Sequence, residues 1–182
     1  MLPKAFNLKR WVDEHQHLLK PPVGNKLIFE DANTIVMAVG GPNARTDYHD
    51  DPVEEYFHQL RGDMVLRVME QPGRPPVDVP IREGDVLLLP AHARHSPQRP
   101  VPGSVGIVVE PQRRGDDMDA FEWYCLECHQ LVHRFEYRLR KVEEIVSVMP
   151  PLFERFYADA SLRKCTHCGA VHPGKAAAPA PA

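Results

Sequence analysis

No apolar run in the 182 residues is long enough to span a bilayer, and Met1-Leu2-Pro3-Lys4 lacks the apolar stretch of a secretory leader. Nor does any block of basic residues stand out. The 22 Lys and Arg face 25 Asp and Glu, a net charge of −3, so no nucleic-acid partner is expected. Cysteine is scarce: four residues, arranged as two Cys-x-x-Cys pairs. In a reducing compartment that pattern reads as metal ligation rather than as a disulfide framework. These absences point to a cytoplasmic protein without a membrane partner. Its length suffices for one full hydrophobic core, not two large ones.

Proline, by contrast, is abundant, with 19 residues. Pro21-Pro22, Pro75-Pro76, Pro90, Pro97, Pro100 and Pro102 mark the ends of short strands, because proline fixes φ and removes a donor. Asn7 is placed to cap a helix in which Leu8, Trp11, Val12, His15, Leu18 and Leu19 recur at helical spacing. From Lys26 to about Glu110 short β-rich runs alternate with turn signals such as Gly40-Gly41-Pro42-Asn43 and Glu83-Gly84-Asp85, the pattern of a sandwich or barrel. Residues 111–119 read as a polar connecting loop and Leu131–Tyr137 as a strand. Arg140–Val148 reads as a helix that Pro150-Pro151 ends, with a second starting at Leu152. The expected organisation is a helix and loop over 1–25, a barrel core over 26–112, a C-terminal segment with a metal knuckle over 113–172, and a disordered Ala/Pro-rich tail over 173–182.

Two segments carry chemistry. In the first, His49 and Glu55 follow Gly41 and precede Gly62. In the second, Gly84, an apolar strand and the Pro90 corner lead to His95. Antiparallel strands can bring two imidazoles and one carboxylate together inside a barrel, the facial triad of non-haem Fe(II) oxygenases, with positions left open for substrate and O2. Glu54 competes with Glu55 for the inward position, but strand alternation turns only one of them inward. His92 competes with His95 and is assigned to the surface or to a supporting position.

These segments resemble the two metal-binding motifs of the cupin superfamily, with Asp47 where many cupins carry another histidine. That resemblance implies a mainly β double-stranded β-helix, or jelly roll. A narrower one follows from Pro21-Pro-Val-Gly-Asn25-Lys26, Arg45-Thr-Asp-Tyr-His49, Gln59-Leu-Arg-Gly-Asp-Met64 and His95-Ser-Pro-Gln-Arg99-Pro. Together they are similar to the 3-hydroxyanthranilate 3,4-dioxygenases, and the cysteine pairs to their bacterial version with a rubredoxin-like site. This implies Fe(II) held by His49, Glu55 and His95, a small aromatic substrate and O2 as partners, and a homodimer. It implies that Glu55, Arg99, Glu110 and Asn25 contact the substrate and that Arg45 lies beside O2, with Arg45, Arg99 and Glu110 serving catalysis. An arginine fork matches a carboxylate, as a lysine would not.

Cys125-Leu-Glu-Cys128 and Cys165-Thr-His-Cys168 supply four thiolates, a tetrahedral set for Fe or Zn with no position open to substrate. That site is expected to be structural or electron-transferring. Two other functions compete: a different metal-dependent cupin enzyme, and a ligand-sensing cupin that uses the cysteines to bind a partner. The pair of arginines and Glu110 favour an enzyme acting on an anion.

Overall fold

The structure, a computed structural model, describes residues 4–20, 24–30, 32–139 and 145–175. Asn7 caps α1 (Leu8–His15), its side chain accepting from the N–H of Arg10 at 2.9 Å. The helix packs Val12 and, beyond it, Leu19 onto Ala38, Val105 and Ile107.

Among the described residues eleven strands follow: β1 (Asn25–Leu27), β2 (Thr34–Gly40), β3 (Asp47–Asp50), β4 (Glu55–Arg61), β5 (Met64–Val68), β6 (Val77–Ile81), β7 (Val86–Leu89), β8 (His95–Gln98), β9 (Val105–Pro111), β10 (Asp119–Tyr124) and β11 (Leu131–Tyr137). They form two antiparallel sheets, ordered β1-β2-β9-β4-β7 and β11-β10-β3-β8-β5-β6. This is the mainly β jelly roll that the cupin resemblance implies.

Strand alternation assigns the faces. On β9, Val105 and Ile107 turn outward under α1, while Val108 turns inward to Phe57, Met64, Leu66, Ile81 and Leu89. That inward set is the core between the sheets. The same parity places Glu55, Phe57 and Gln59 of β4, and Gly106 and Glu110 of β9, along the interior.

The strands expected from composition recur with shifted ends. Three lie where no strand is predicted: β3, β8 and β10. The chain from Asp119 to Tyr124 is buried on both faces, which removes the alternation that betrays a strand. α2 (Ile145–Ala158) also departs from expectation. It runs through Pro150 and Pro151 as a single helix, where the sequence predicts a break. Two N–H donors are lost there. Packing offsets the loss, as Phe153 and Phe156 close on Trp123, with Trp123 and Phe156 stacked at 4.1 Å between centroids. The start of the helix expected from Arg140, and the tail beyond Lys175, lie outside the described residues. Among the described residues no helix is long and apolar enough to cross a membrane.

Candidate metal centre and substrate pocket

His49 and His95 are register partners across β3 and β8, and Glu55 opens β4 in the facing sheet. Their ligand atoms lie within 4.8 Å of one another, and all three residues are buried. Glu55 Oε1 is 3.2 Å from His95 Nε2 and 3.5 Å from His49 Nδ1. Glu54, one residue earlier, is exposed, as alternation requires.

The remaining ring nitrogens are occupied. His95 Nδ1–H donates to the carbonyl of Ala93 at 2.8 Å, which leaves the Nε2 lone pair facing Glu55. His49 Nε2–H donates to Asp119 Oδ1 at 2.9 Å, which leaves Nδ1 facing Glu55. The His49 ring is stacked on Phe121, and Phe121 in turn on Tyr137. Carboxylate and carbonyl partners of this kind fix the ring orientation and tautomer of a metal-ligating histidine.

The electrostatics also fit a cation. Burial alone would lower His49, but hydrogen bonds to Asp119 and Glu55 and the charge of Asp51 raise it to about 10. Burial, together with Glu55 and Glu110, pushes the Asp51 carboxyl up to about 10. Glu55 is held well below the usual carboxylate range, its burial outweighed by the two histidines. A buried cluster of imidazoles and carboxylates in which His49 and Asp51 are both shifted toward their protonated forms is one that a divalent cation would relieve, with release of protons. Two imidazoles and a carboxylate are the donor set suited to Fe(II).

Beyond the triad, Arg113 is the hub that sequence reading misses. Its side chain is buried and reaches Asp51 at 2.7 Å, Glu110 at 2.5 Å and Asp119 at 2.7 Å. It thereby ties Glu110 to the carboxylate that holds His49. Asp119, Asp51 and Arg113 gave no local signal, since Asp119 is 70 residues from His49 in the chain.

Of the other expected site residues, Glu110 faces the interior, paired to Arg113. Arg45 is paired with Asp47 and lies 5.9 Å over the Phe121 ring, on the layer that carries His49. Arg99 is 1% exposed, with Nη1 donating to Gln59. Asn25 opens the edge strand β1, opposite Val39. His92 is mostly exposed and bonded to Asp50 at 3.0 Å, away from the triad.

The four cysteines meet at the other end of β10. Their sulfurs are free thiols within 4.8 Å of one another, Cys125 to Cys168 at 3.5 Å and Cys128 to Cys165 at 3.6 Å. Two matched knuckles build the site. In each, the residue after the second cysteine donates to the first cysteine's carbonyl at 2.9 Å, from His129 and from Gly169. Both residues adopt positive φ, 57° at His129 and 80° at Gly169. The main-chain N–H groups of Cys168 and His167 lower the Cys165 thiol to about 6, while burial and neighbouring sulfurs push Cys128 up to about 12. Four thiolates at this spacing cannot all ionise without a cation among them.

Next to this site His172 is buried against Phe156, and burial, with Arg163 nearby, lowers it to about 4 from 6.5. A neutral buried histidine stabilises the fold above its unfolded pKa, and that stability is lost as the pH falls from 6.5 towards 4. At pH 5 the loss is about 2 kcal/mol. The stability difference between wild type and His172→Gln is expected to shrink by this amount between pH 7 and pH 5 in urea melts. A constant difference would refute the linkage.

The sequence pattern of the 3-hydroxyanthranilic acid dioxygenase family matches residues 1–157. The chain belongs to this family. A 3-hydroxyanthranilate 3,4-dioxygenase of Brucella anthropi is 61% identical over 171 residues, 94% of this chain and 92% of the relative. One from Paraburkholderia phytofirmans is 57% identical over 173 residues, 95% and 97% of the two chains. Among solved structures, a cupin-like protein of Thermotoga maritima aligns with a TM-score of 0.40 and 26% identity, over 48% of this chain and 67% of that one. Within the family, both the barrel cluster and the cysteine cluster of this member are able to bind metal.

Proposed function

We propose that the protein is an Fe(II)-dependent, extradiol-type 3-hydroxyanthranilate 3,4-dioxygenase. It opens the aromatic ring with O2 to give 2-amino-3-carboxymuconate semialdehyde, a quinolinate precursor in tryptophan catabolism. The observation that carries this reading is the buried His49–Glu55–His95 cluster, poised for a divalent cation, in a chain 61% identical to an enzyme of that name.

Fe(II) bound by these three side chains supplies the redox bridge between the ring and O2, chemistry that belongs to the metal. The protein's own groups bind, orient and desolvate. Arg99 receives the substrate carboxylate. The Glu110 oxygen that is not engaged by Arg113 accepts from the substrate's hydroxyl or amine, and so can take the proton lost there. Arg45, fixed by Asp47 over Phe121, sets a positive charge where negative charge develops on oxygen. Asn25 and Glu55 complete the contacts around the ring. The four cysteines hold Fe or Zn as a structural staple of the C-terminal segment. The working unit is a homodimer in the cytoplasm.

The decisive test mixes Fe(II)-loaded protein with 3-hydroxyanthranilate in air. The absorbance band of a muconate semialdehyde is expected to grow with time. Iron-saturated protein that produces no such band overturns the assignment.

A further inference from the structure

Arg99 is the most deeply buried arginine among the described residues. The less buried Arg113, Arg45 and Arg134 each pair with carboxylates. The Arg99 guanidinium forms no ion pair among the described residues, and burial with no compensating charge lowers it to about 10. Its Nε is buried without a hydrogen-bond partner among the described residues. A desolvated cation with an unused donor is costly to keep, so the residues that hold it in place bear on its use.

Those residues are identifiable. The main chain of Arg99 is fixed by Asn43, whose Oδ1 accepts from the Arg99 N–H at 2.9 Å and whose own N–H donates to the Arg99 carbonyl at 2.8 Å. At the other end, buried Gln59 accepts from Nη1 through Oε1 at 2.6 Å. Gln59 cannot turn its amide round without loss, because Nε2 donates to the carbonyls of Arg61 at 3.0 Å and Gly62 at 2.8 Å. Across the β4–β9 ladder, Gln59 faces Gly106. A Cβ at Gly106 would stand 2.7 Å from Nη2, 2.9 Å from Nη1 and 2.6 Å from Gln59 Oε1. Glycine is what lets the guanidinium and the amide share that space.

The acceptor is neutral, and that is the point of chemistry. A carboxylate at position 59 would satisfy the cation internally. An amide fixes the guanidinium plane on the Nη1 side and leaves the positive charge unspent for an incoming anion. We infer that Gln59 and Gly106 are the positioning residues that keep Arg99 open as a selective receptor for a ring-borne carboxylate. The inference rests on the reading of the barrel as a site for an aromatic acid, and deepens it by naming what sets specificity for that acid.

The test compares two ligands on metal-loaded protein without O2, so that nothing turns over. 3-Hydroxyanthranilate carries the carboxylate; 2-aminophenol has the same hydroxyl and amine without it. Calorimetric titration of Gln59→Glu is expected to show an affinity loss on the order of 100-fold for 3-hydroxyanthranilate, since a buried charge pair is pre-empted. Binding of 2-aminophenol is expected to be unchanged. Gly106→Ala, which displaces the guanidinium instead of neutralising it, is expected to show the same split should Gln59→Glu fail to fold. Unchanged binding of 3-hydroxyanthranilate, or equal loss of both ligands, overturns the inference. Wild-type protein that prefers the carboxylate ligand yet opens no ring in air overturns the dioxygenase reading alone. Ring opening with unaltered ligand preference in the variants overturns this inference alone.

Discussion

Replacing His49 with alanine is expected to reduce ring opening by more than roughly 100-fold and to remove one of the two bound metals, leaving the cysteine-bound ion in place. Removal of a group that merely supports a ligand typically costs 10–100-fold in metal affinity or activity, so loss of the ligand itself exceeds that range. Asp119→Asn tests the support separately. It keeps the shape but weakens the acceptor for His49 Nε2, at present 2.9 Å away. It should fall inside the lower range, with weakened metal retention and a folded barrel. Metal analysis alongside turnover separates the two effects. Simultaneous loss of both metals in His49→Ala would show that the centres are not independent, and retained turnover would remove His49 from the ligand set.

Cys165→Ser is expected to release the knuckle metal and unfold the C-terminal segment while the barrel keeps its ion. Structural zinc contributes about 10–16 kcal/mol of apparent binding free energy in isolated zinc-finger peptides, and that energy is folding energy. Here it anchors a short segment whose apolar contact is made largely by α2 on Trp123 and Phe121. Once it is released, the stack of Phe156 on Trp123 opens and Trp123 loses its cover. The measurable outcomes are a red-shifted tryptophan emission, rapid proteolysis after β11, and a lower melting temperature. A melting curve and emission spectrum like those of the wild type would mean that the four sulfurs serve something other than stability.

Which parts of this architecture can be read in the chain depends on distance along it. The cysteine pairs are legible because each knuckle is a local object: two thiols, one residue at positive φ, one main-chain hydrogen bond. The histidines and Glu55 are legible through motif resemblance, and Glu55 over Glu54 through strand parity. Arg113, Asp51 and Asp119 leave no such trace, and Gln59, although inside a resembling motif, shows nothing there of its partner. Their meaning comes from partners on other strands, and a buried Gln or Asp in a polar-looking stretch has the composition of a turn. β3 and β8 escape for the same reason: Asp47–Asp50 and His95–Gln98 are polar, and the second contains a proline. Around the His49–Glu55–His95 cluster the interior is polar, so hydrophobicity does not mark the inward residues of these two strands.

His49 and His95 stand directly opposite each other on neighbouring antiparallel strands. Because side chains alternate faces, a slip of one strand by a single residue would turn its histidine to the outside and bring Tyr48 or Ser96 in. An ion held by both imidazoles would thus serve as an alignment gauge for the barrel, favouring the one pairing in which both nitrogens arrive together.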